Sequence, residues 1–307
     1  MQDQALDFFG IVPDYNLGIM LPGQTLAQVT ARATEGLDGI ISRWKPDIVL
    51  VQGDTTTAFC GALVAHYHRI CVGHVEAGLR TGNKFAPFPE ESNRQLISRL
   101  ADHHFAPTEN ARKALLVEGV PESSVHLTGN TVVDALLWAR EKVREKRPAL
   151  PDGLAEALDG GQVVLVTGHR RESFGEGFEN ICTAIREIAD AMEDVVFVYP
   201  VHLNPNVREP VHRILGGHRR IHLVEPLGYA PFIWLMDQSS IVLTDSGGIQ
   251  EEAPSLDKPV LVMRETTERP EGVEAGNARV IGVRKDKIVE ELERLLRDPG
   301  SAGRWPQ

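Results

Sequence analysis

Short apolar runs alternate with helical patterns along most of the chain. "DIVLVQGD" (47–54) is a continuous β-branched run ending in Gly-Asp. The "TTTAFCGALVAHYHR" that follows opens on Thr, a good N-cap, and continues with helical spacing. The pattern predicts a strand at "ICVGHVEAG", a helix around "EESNRQLISRLADHH", a strand at "HHFAPTE" and a helix at "NARKALLVEGV". "SSVHLTGN" then reads as a strand leading into the helix "TVVDALLWAREKV". Residues 144–162, "REKRPALPDGLAEALDGGQ", are rich in charge, Pro and Gly, and a domain linker is expected there. Beyond it the rhythm restarts, with strands at "VVLVTGH", "VVFVYPVH", "IHLVEP", "SIVLTDSGG", "PVLVMRE" and "ARVIGV". Helices are expected near 178–192, 206–215, 229–237, 249–256 and 286–297. Such alternation predicts an α/β fold of two Rossmann-like domains, residues 1–150 and 151–307. Each would have a parallel sheet with helices on both faces, and the ligand cleft is expected between them.

Composition narrows the class. A chain of 307 residues can build two ordinary cores. With 42% hydrophobic and 24% charged residues it has the balance of a soluble globular protein. No apolar run approaches the roughly 18–20 residues of a membrane span. The opening "MQDQALDFFGIVPDYN" lacks the basic and apolar regions of a signal peptide, so the cytoplasm is the expected compartment. Cys60, Cys71 and Cys182 sit in apolar segments without metal-ligand spacing and read as small core residues. The remaining histidines outside the strand ends show no metal-ligand spacing either, so no metal is expected. A formal net charge of -11 argues against nucleic acid as a bulk partner. It leaves room for a phosphate ligand, because a local cluster of Arg and His opposes the global sign.

Buried parallel strands are apolar along their length, so polar residues at their C-terminal ends mark where ligands bind. Those ends read Asp54, Glu76, Gly129-Asn130, His169-Arg170-Arg171, His202 and Asp245-Ser246-Gly247-Gly248. The first half supplies carboxylates, while the second supplies His, Arg and a Gly-rich turn. "TDSGGIQEEA" (244–253) places Ser246, Gly247 and Gly248 before a helix, where free N–H groups suit a phosphate. Glu251 or Glu252, one turn later, could accept from ribose hydroxyls. His169, Arg170 and Arg171 offer cations for a diphosphate, and Arg269 is a second such candidate. Asp54, Glu76 and Glu90 each have an ordinary structural alternative: an N-cap, a partner of Arg80 and a helix-start residue. Converging on one ligand, the three could instead remove and return a proton, since repulsion and desolvation raise one carboxyl towards neutrality. Arg94, four residues after Glu90 on the same helix face, is placed to hold one carboxylate ionised.

The motifs "VQGDTTT", "GHVEAGLRTG", "PFPEESNR", "TGNTVVDAL", "VTGHRRESFG", "YPVHLNPNVREPV" and "LTDSGGIQEEAPSLDKPVLVMRETTERPEGV" closely resemble the non-hydrolysing UDP-N-acetylglucosamine 2-epimerases. The likeness runs in order along nearly the whole chain. It implies two Rossmann-like domains of the GT-B type, with the nucleotide held mostly by the second. It also implies a homodimer without metal, nicotinamide or other cofactor. The implied reaction interconverts UDP-GlcNAc and UDP-ManNAc, for cell-surface polysaccharide precursors. UDP is eliminated to give 2-acetamidoglucal and is then re-added. By the same resemblance, Asp54, Glu76 and Glu90 surround C2 and His169 faces the departing diphosphate. Phe232 and the region around 227 are implied for uracil, Ser246, Gly247 and Gly248 for the phosphates, Glu252 for ribose, and Arg269 for the diphosphate or sugar. Arg94 and Arg170 are expected to help bind substrate. His202 resembles a position lining a second, regulatory UDP-GlcNAc site in bacterial members. The family pattern further implies about forty residues before "DFFGIVPDYNL", carrying a first βα unit. A final crossover helix is implied after "DPGSAGRWPQ", so the reading is of a chain lacking both. Other readings remain open on the residues alone: a hydrolysing epimerase, a GT-B glycosyltransferase, or a non-catalytic UDP-sugar binder.

Overall fold

The computed structural model describes residues 2–85, 87–158, 161–267 and 269–298. They fall into two compact units, Pro13–Thr131 and a larger one made of Met1–Val12 with Val132–Gln307. The helix α1 (Gln2–Phe9) therefore belongs to the larger unit.

The Pro13–Thr131 unit runs α2 (Leu26–Trp44), β1 (Ile48–Gln52), α3 (Thr56–Tyr67), β2 (Cys71–Val75), α4 (Glu90–Leu100), β3 (His103–Ala106), α5 (Glu109–Val117) and β4 (Val125–Leu127). All pairings are parallel, in the order β1-β2-β3-β4. Helix starts are written into the chain. Thr25 and Gln28 form a reciprocal capping box at α2, and the Thr55 hydroxyl accepts from Ala58 N at 3.1 Å to open α3. Ile41, Val51, Ala58, Ala62, Val64, Ala65, Val72 and Ile97 form one core cluster, and α3 is buried along much of its length. The pattern had predicted nothing before residue 47, yet α2 is a 19-residue helix. Its Gly36 packs closely against the Leu17 side chain, which would have to shift for a Cβ there, 2.8 Å from Leu17 Cδ2.

The larger unit continues with α6 (Thr131–Glu145), α7 (Leu154–Ala157), β5 (Gln162–Thr167), α8 (Glu176–Ala191), β6 (Val195–Pro200), α9 (Pro205–Leu215) and β7 (Ile221–Val224). It ends with α10 (Tyr229–Gln238), β8 (Ile241–Thr244), α11 (Ile249–Ser255), β9 (Val260–Val262), α12 (Pro270–Glu274), β10 (Ala278–Val280) and α13 (Lys285–Arg297). The boundary lies at residue 131 rather than at 144–162. Leu136, Ala139 and Val143 of α6 and Leu154 of α7 are core residues of the larger unit, so the Pro- and charge-rich stretch is not a free linker. Phe9 stacks on Trp138 with ring centroids 5.1 Å apart, and Phe8 meets Tyr229 edge-on, which fixes α1 to this core.

Six parallel strands run in the order β10-β9-β8-β5-β6-β7. Counted from β5 this is 3-2-1-4-5-6 read from the β7 edge, the doubly wound dinucleotide-fold order. Adjacent β5 and β8 lead in opposite directions across the sheet, so a switch point opens at their C-terminal ends. Buried side chains fill both faces, with Phe178, Ile185 and Leu292 on one and Leu235, Met236 and Leu256 on the other. Among the described residues no helix is long and apolar enough to cross a membrane.

Candidate active site

In the Pro13–Thr131 unit, Asp54 and Glu76 leave neighbouring strands. Gln52 pairs with Val75, and Gly53 N donates to Val75 O at 3.0 Å. Gly53 then turns with φ +70°, and Glu76 itself holds a left-handed φ of 64°. That conformation is costly for a residue with a Cβ and persists only where its surroundings enforce it, which happens most often at functional sites. A Cβ on Gly53 would stand 3.4 Å from Glu76 Oε2, so the carboxylate lies over the β1 turn. Fully buried His74 ties the two strand ends together, donating from Nε2 to Gly53 O at 2.8 Å. Burial pushes its pKa down to about 4, only partly offset by that hydrogen bond, so the ring is neutral.

Helix α4 holds Asp54 from the other side. Asn93 Nδ2 donates to Asp54 O at 2.9 Å, while Arg94 Nε and Nη2 donate to Asp54 Oδ2 at 3.0 and 2.6 Å. Arg94 Nη1 also reaches Glu91 Oε2 at 3.0 Å. The carboxylates that Arg94 grips are thus Asp54 and Glu91. Glu91 is completely buried and also accepts from Thr81 N, Gly82 N and Gln95 Nε2 at 3.1, 3.3 and 3.0 Å. Glu90 opens α4 one turn before Asn93 and Arg94, and so shares the face that meets Asp54. The three expected carboxylates all belong to the Pro13–Thr131 unit. Arg80, the structural alternative for Glu76, is committed to Glu118 at 2.7 and 2.9 Å.

In the larger unit the β5–β8 switch point gathers the second set. Gly168, His169 and Arg170 follow β5, and Asp245, Ser246 and Gly247 follow β8. Asp245 is fully buried, and its Oδ2 accepts from His169 N at 2.7 Å and Arg170 N at 2.8 Å. Those two N–H groups are consequently spent on an internal carboxylate rather than offered to a ligand. The His169 ring is exposed on this turn and stacks on His202, with centroids 5.6 Å apart and planes at 22°. Of Arg171 only the backbone is described.

Past β8, Ser246 N donates to Thr244 Oγ1 at 3.0 Å, and no side chain caps α11 at Gly248. Glu251 forms an ion pair with Arg269 Nε at 2.5 Å. Arg269 is further anchored by its N–H to Thr267 Oγ1 at 3.0 Å. The choice left open between Glu251 and Glu252 narrows accordingly, because Glu251 is occupied by Arg269. Burial, then the neighbouring Glu251 charge, raises the Glu252 pKa, and burial, then the Glu252 charge, raises that of Tyr229. Phe232 on α10 is partly buried against the core. Among the described residues no cluster of three or more His, Cys, Asp or Glu could hold a metal ion.

The sequence pattern marks Glu91 beside Glu90 after the prolines but gives it no separate part, gives none to Asn93 or His74, and offers Asp245 only as a strand-end residue. Asp245 could have been singled out by its place at a strand end beside the switch point. For His74 no one-dimensional signal exists, and for Glu91 the sequence does not show its partners at residues 81, 82 and 94.

The family model described as UDP-N-acetylglucosamine 2-epimerase matches residues 1–305. The UDP-N-acetylglucosamine 2-epimerase of Escherichia coli K12 is 57% identical over 301 residues, covering 97% of this chain and 80% of that protein. That of Salmonella typhimurium is 58% identical over 302 residues, with the same coverage. The crystal structure of the Neisseria meningitidis UDP-GlcNAc 2-epimerase bound to UDP-GlcNAc superposes with a TM-score of 0.86 at 46% identity, covering 98% of this chain and 82% of that one. Matched over nearly its whole length by sequence and by fold, this chain belongs to the UDP-N-acetylglucosamine 2-epimerase family.

Proposed function

We propose that the protein interconverts UDP-GlcNAc and UDP-ManNAc by eliminating UDP to 2-acetamidoglucal and adding it back with C2 inverted. The observation that carries the reading is the carboxylate group built around Asp54. Asp54 and strained Glu76 leave adjacent strands, Glu90 lies on the helix face that grips Asp54, and neutral His74 locks the turn. The C2 proton is weakly acidic, so a carboxylate must take it as the C1–O bond to UDP breaks. A second carboxylate returns a proton to the opposite face. UDP departs as an anion, and the exposed His169 ring with Arg170 stabilises it. Ser246, Gly247 and Gly248 hold the phosphates, Phe232 and the chain near Leu227 flank uracil, and Arg269 assists at the diphosphate or sugar. Glu252 accepts from the ribose hydroxyls, which also offsets the cost of its burial. Arg94 acts on substrate through the carboxylates it orients. His202 passes the occupancy of a second UDP-GlcNAc site to the diphosphate end, a reading supported by its ring stacking on His169. No metal or cofactor takes part in this scheme.

The free thiols Cys60, Cys71 and Cys182 fit a reducing, cytoplasmic setting. A homodimer rests on the resemblance alone, and light scattering of the purified chain tests it.

Incubation with UDP-GlcNAc in deuterated water is decisive. Epimerisation predicts UDP-ManNAc carrying deuterium at C2. Free UDP with ManNAc would make the protein a hydrolysing enzyme, and UDP binding without exchange would make it a binder. Glu76→Gln should reduce C2 exchange by roughly a thousandfold or more, with UDP affinity within a few-fold. A comparable loss of UDP affinity would remove Glu76 from the proton-transfer step.

A further inference from the structure

We infer that Asp245 is the positioning residue for His169, fixing both the turn that carries the ring and which ring nitrogen bears the proton. The inference rests on the reading of His169 as the group facing the departing diphosphate.

The turn 168–170 is clamped from beneath by two buried side chains. Tyr199 donates its hydroxyl to Gly168 O at 3.0 Å, and Asp245 Oδ2 takes the next two N–H groups. The clamp leaves little room at 168, where a Cβ would stand 3.0 Å from the Tyr199 hydroxyl, closer than an ordinary contact, and 3.7 Å from Asp245 Oδ2. Asp245 is itself held at the end of β8 by its N–H to Thr167 O at 3.1 Å. One carboxylate oxygen is therefore fully used. The other, Oδ1, is buried without a hydrogen bond, and His169 Nδ1 stands 3.4 Å from it. An unsatisfied carboxylate oxygen in a fully buried site is expensive, so its retention points to use at another step of the cycle.

The chemistry of the pair decides the rest. An ionised carboxylate only accepts, so the nitrogen facing it carries the hydrogen and Nε2 is turned towards the ligand. When the ring also holds a proton at Nε2, that N–H can donate to the departing phosphate oxygen while the buried carboxylate faces the resulting charge. No bond to carbon is made or broken by Asp245. A purely structural clamp would need only Oδ2. The approach of Oδ1 to Nδ1 is what such a clamp leaves unexplained.

Asp245→Asn separates the two roles. The amide oxygen can still accept from His169 N and Arg170 N, but its NH2 group would face Nδ1 as a donor and force the hydrogen to Nε2. Nitrogen-15 NMR of histidine-labelled protein, with His169→Gln for assignment, should show the Nδ1–H tautomer in the native chain and Nε2–H in Asp245→Asn. Epimerisation should show kcat reduced by roughly a hundredfold, as expected for a misoriented group, with KM and the UDP dissociation constant within about threefold. A native ring found as Nε2–H overturns the inference without any variant, so failure of Asp245→Asn to fold does not protect it. It is overturned equally by a variant whose tautomer or kcat matches the native protein. If the native chain shows no epimerisation yet the tautomer switches as described, the proposed reaction fails and the Asp245–His169 pairing stands.

Discussion

At the scale of single residues, the groups that organise the chemistry are mostly ones a linear reading cannot weigh. The place of Glu76 after β2 was legible, because a carboxylate at the end of a buried strand is conspicuous. His74, two residues earlier, has the pattern of any strand residue, and only the fold shows its Nε2 on Gly53 O. Its effect on stability has a definite sign. The folded ring titrates at about 4 against an ordinary 6.5, so above 6.5 it is neutral in both states. As pH falls below 6.5 the unfolded chain takes up a proton that the folded one refuses until about 4, and stability drains away across that window. The difference corresponds to roughly 3 kcal/mol. Burial lowers His104 as well, in the same direction. Urea denaturation at pH 7 and pH 4.5 should therefore show a steeper acid loss in the native chain than in His74→Gln, which keeps a donor for Gly53 O. Equal losses in the two proteins would mean that the buried ring does not govern acid stability.

Among elements, the strands were easier to foresee than the helices that serve them. Parallel strands announce themselves as β-branched runs ending in polar residues, and each expected run from residue 47 onward forms a strand. Helix α2 was not foreseen because Gly36 and Gly39 interrupt it and few of its side chains are buried. Helix α4 was foreseen, but its function was not, since Glu91 and Arg94 act on Asp54 and on residues 81–82 rather than along the helix. That network makes α4 a brace for the carboxylate group. Arg94→Ala should cost about 3 kcal/mol in denaturant unfolding, because it leaves the fully buried Glu91 without its cation. Most of the loss should return in the double variant Glu91→Gln with Arg94→Met, which removes the stranded charge. A loss below about 1 kcal/mol, the range of exposed pairs, would show that the brace is no stronger than a surface ion pair.

For the whole molecule, the alternation of strand and helix disclosed two parallel-sheet units but misplaced their boundary, because composition marks mobile-looking sequence and not the core a segment joins. Residues 144–162 look like a linker, yet Leu154 is buried in the larger unit. The proposed division of chemistry between the units has a measurable consequence. If UDP is held by the groups after β5 and β8, ligand at a hundred times its dissociation constant stabilises the unit that binds it by about 2.7 kcal/mol. Amides there that exchange through unfolding of that unit should slow by up to roughly a hundredfold. Peptides spanning 162–175 and 240–256 are the place to see this by hydrogen exchange. Peptides spanning 47–58 and 70–80 should be unaffected by UDP and should slow only when UDP-GlcNAc brings the sugar to Asp54 and Glu76. Equal protection of both sets by UDP alone would contradict that division. Protection of the 47–58 peptides alone would place the nucleotide on the carboxylate unit and reverse the assignment of every phosphate-binding residue.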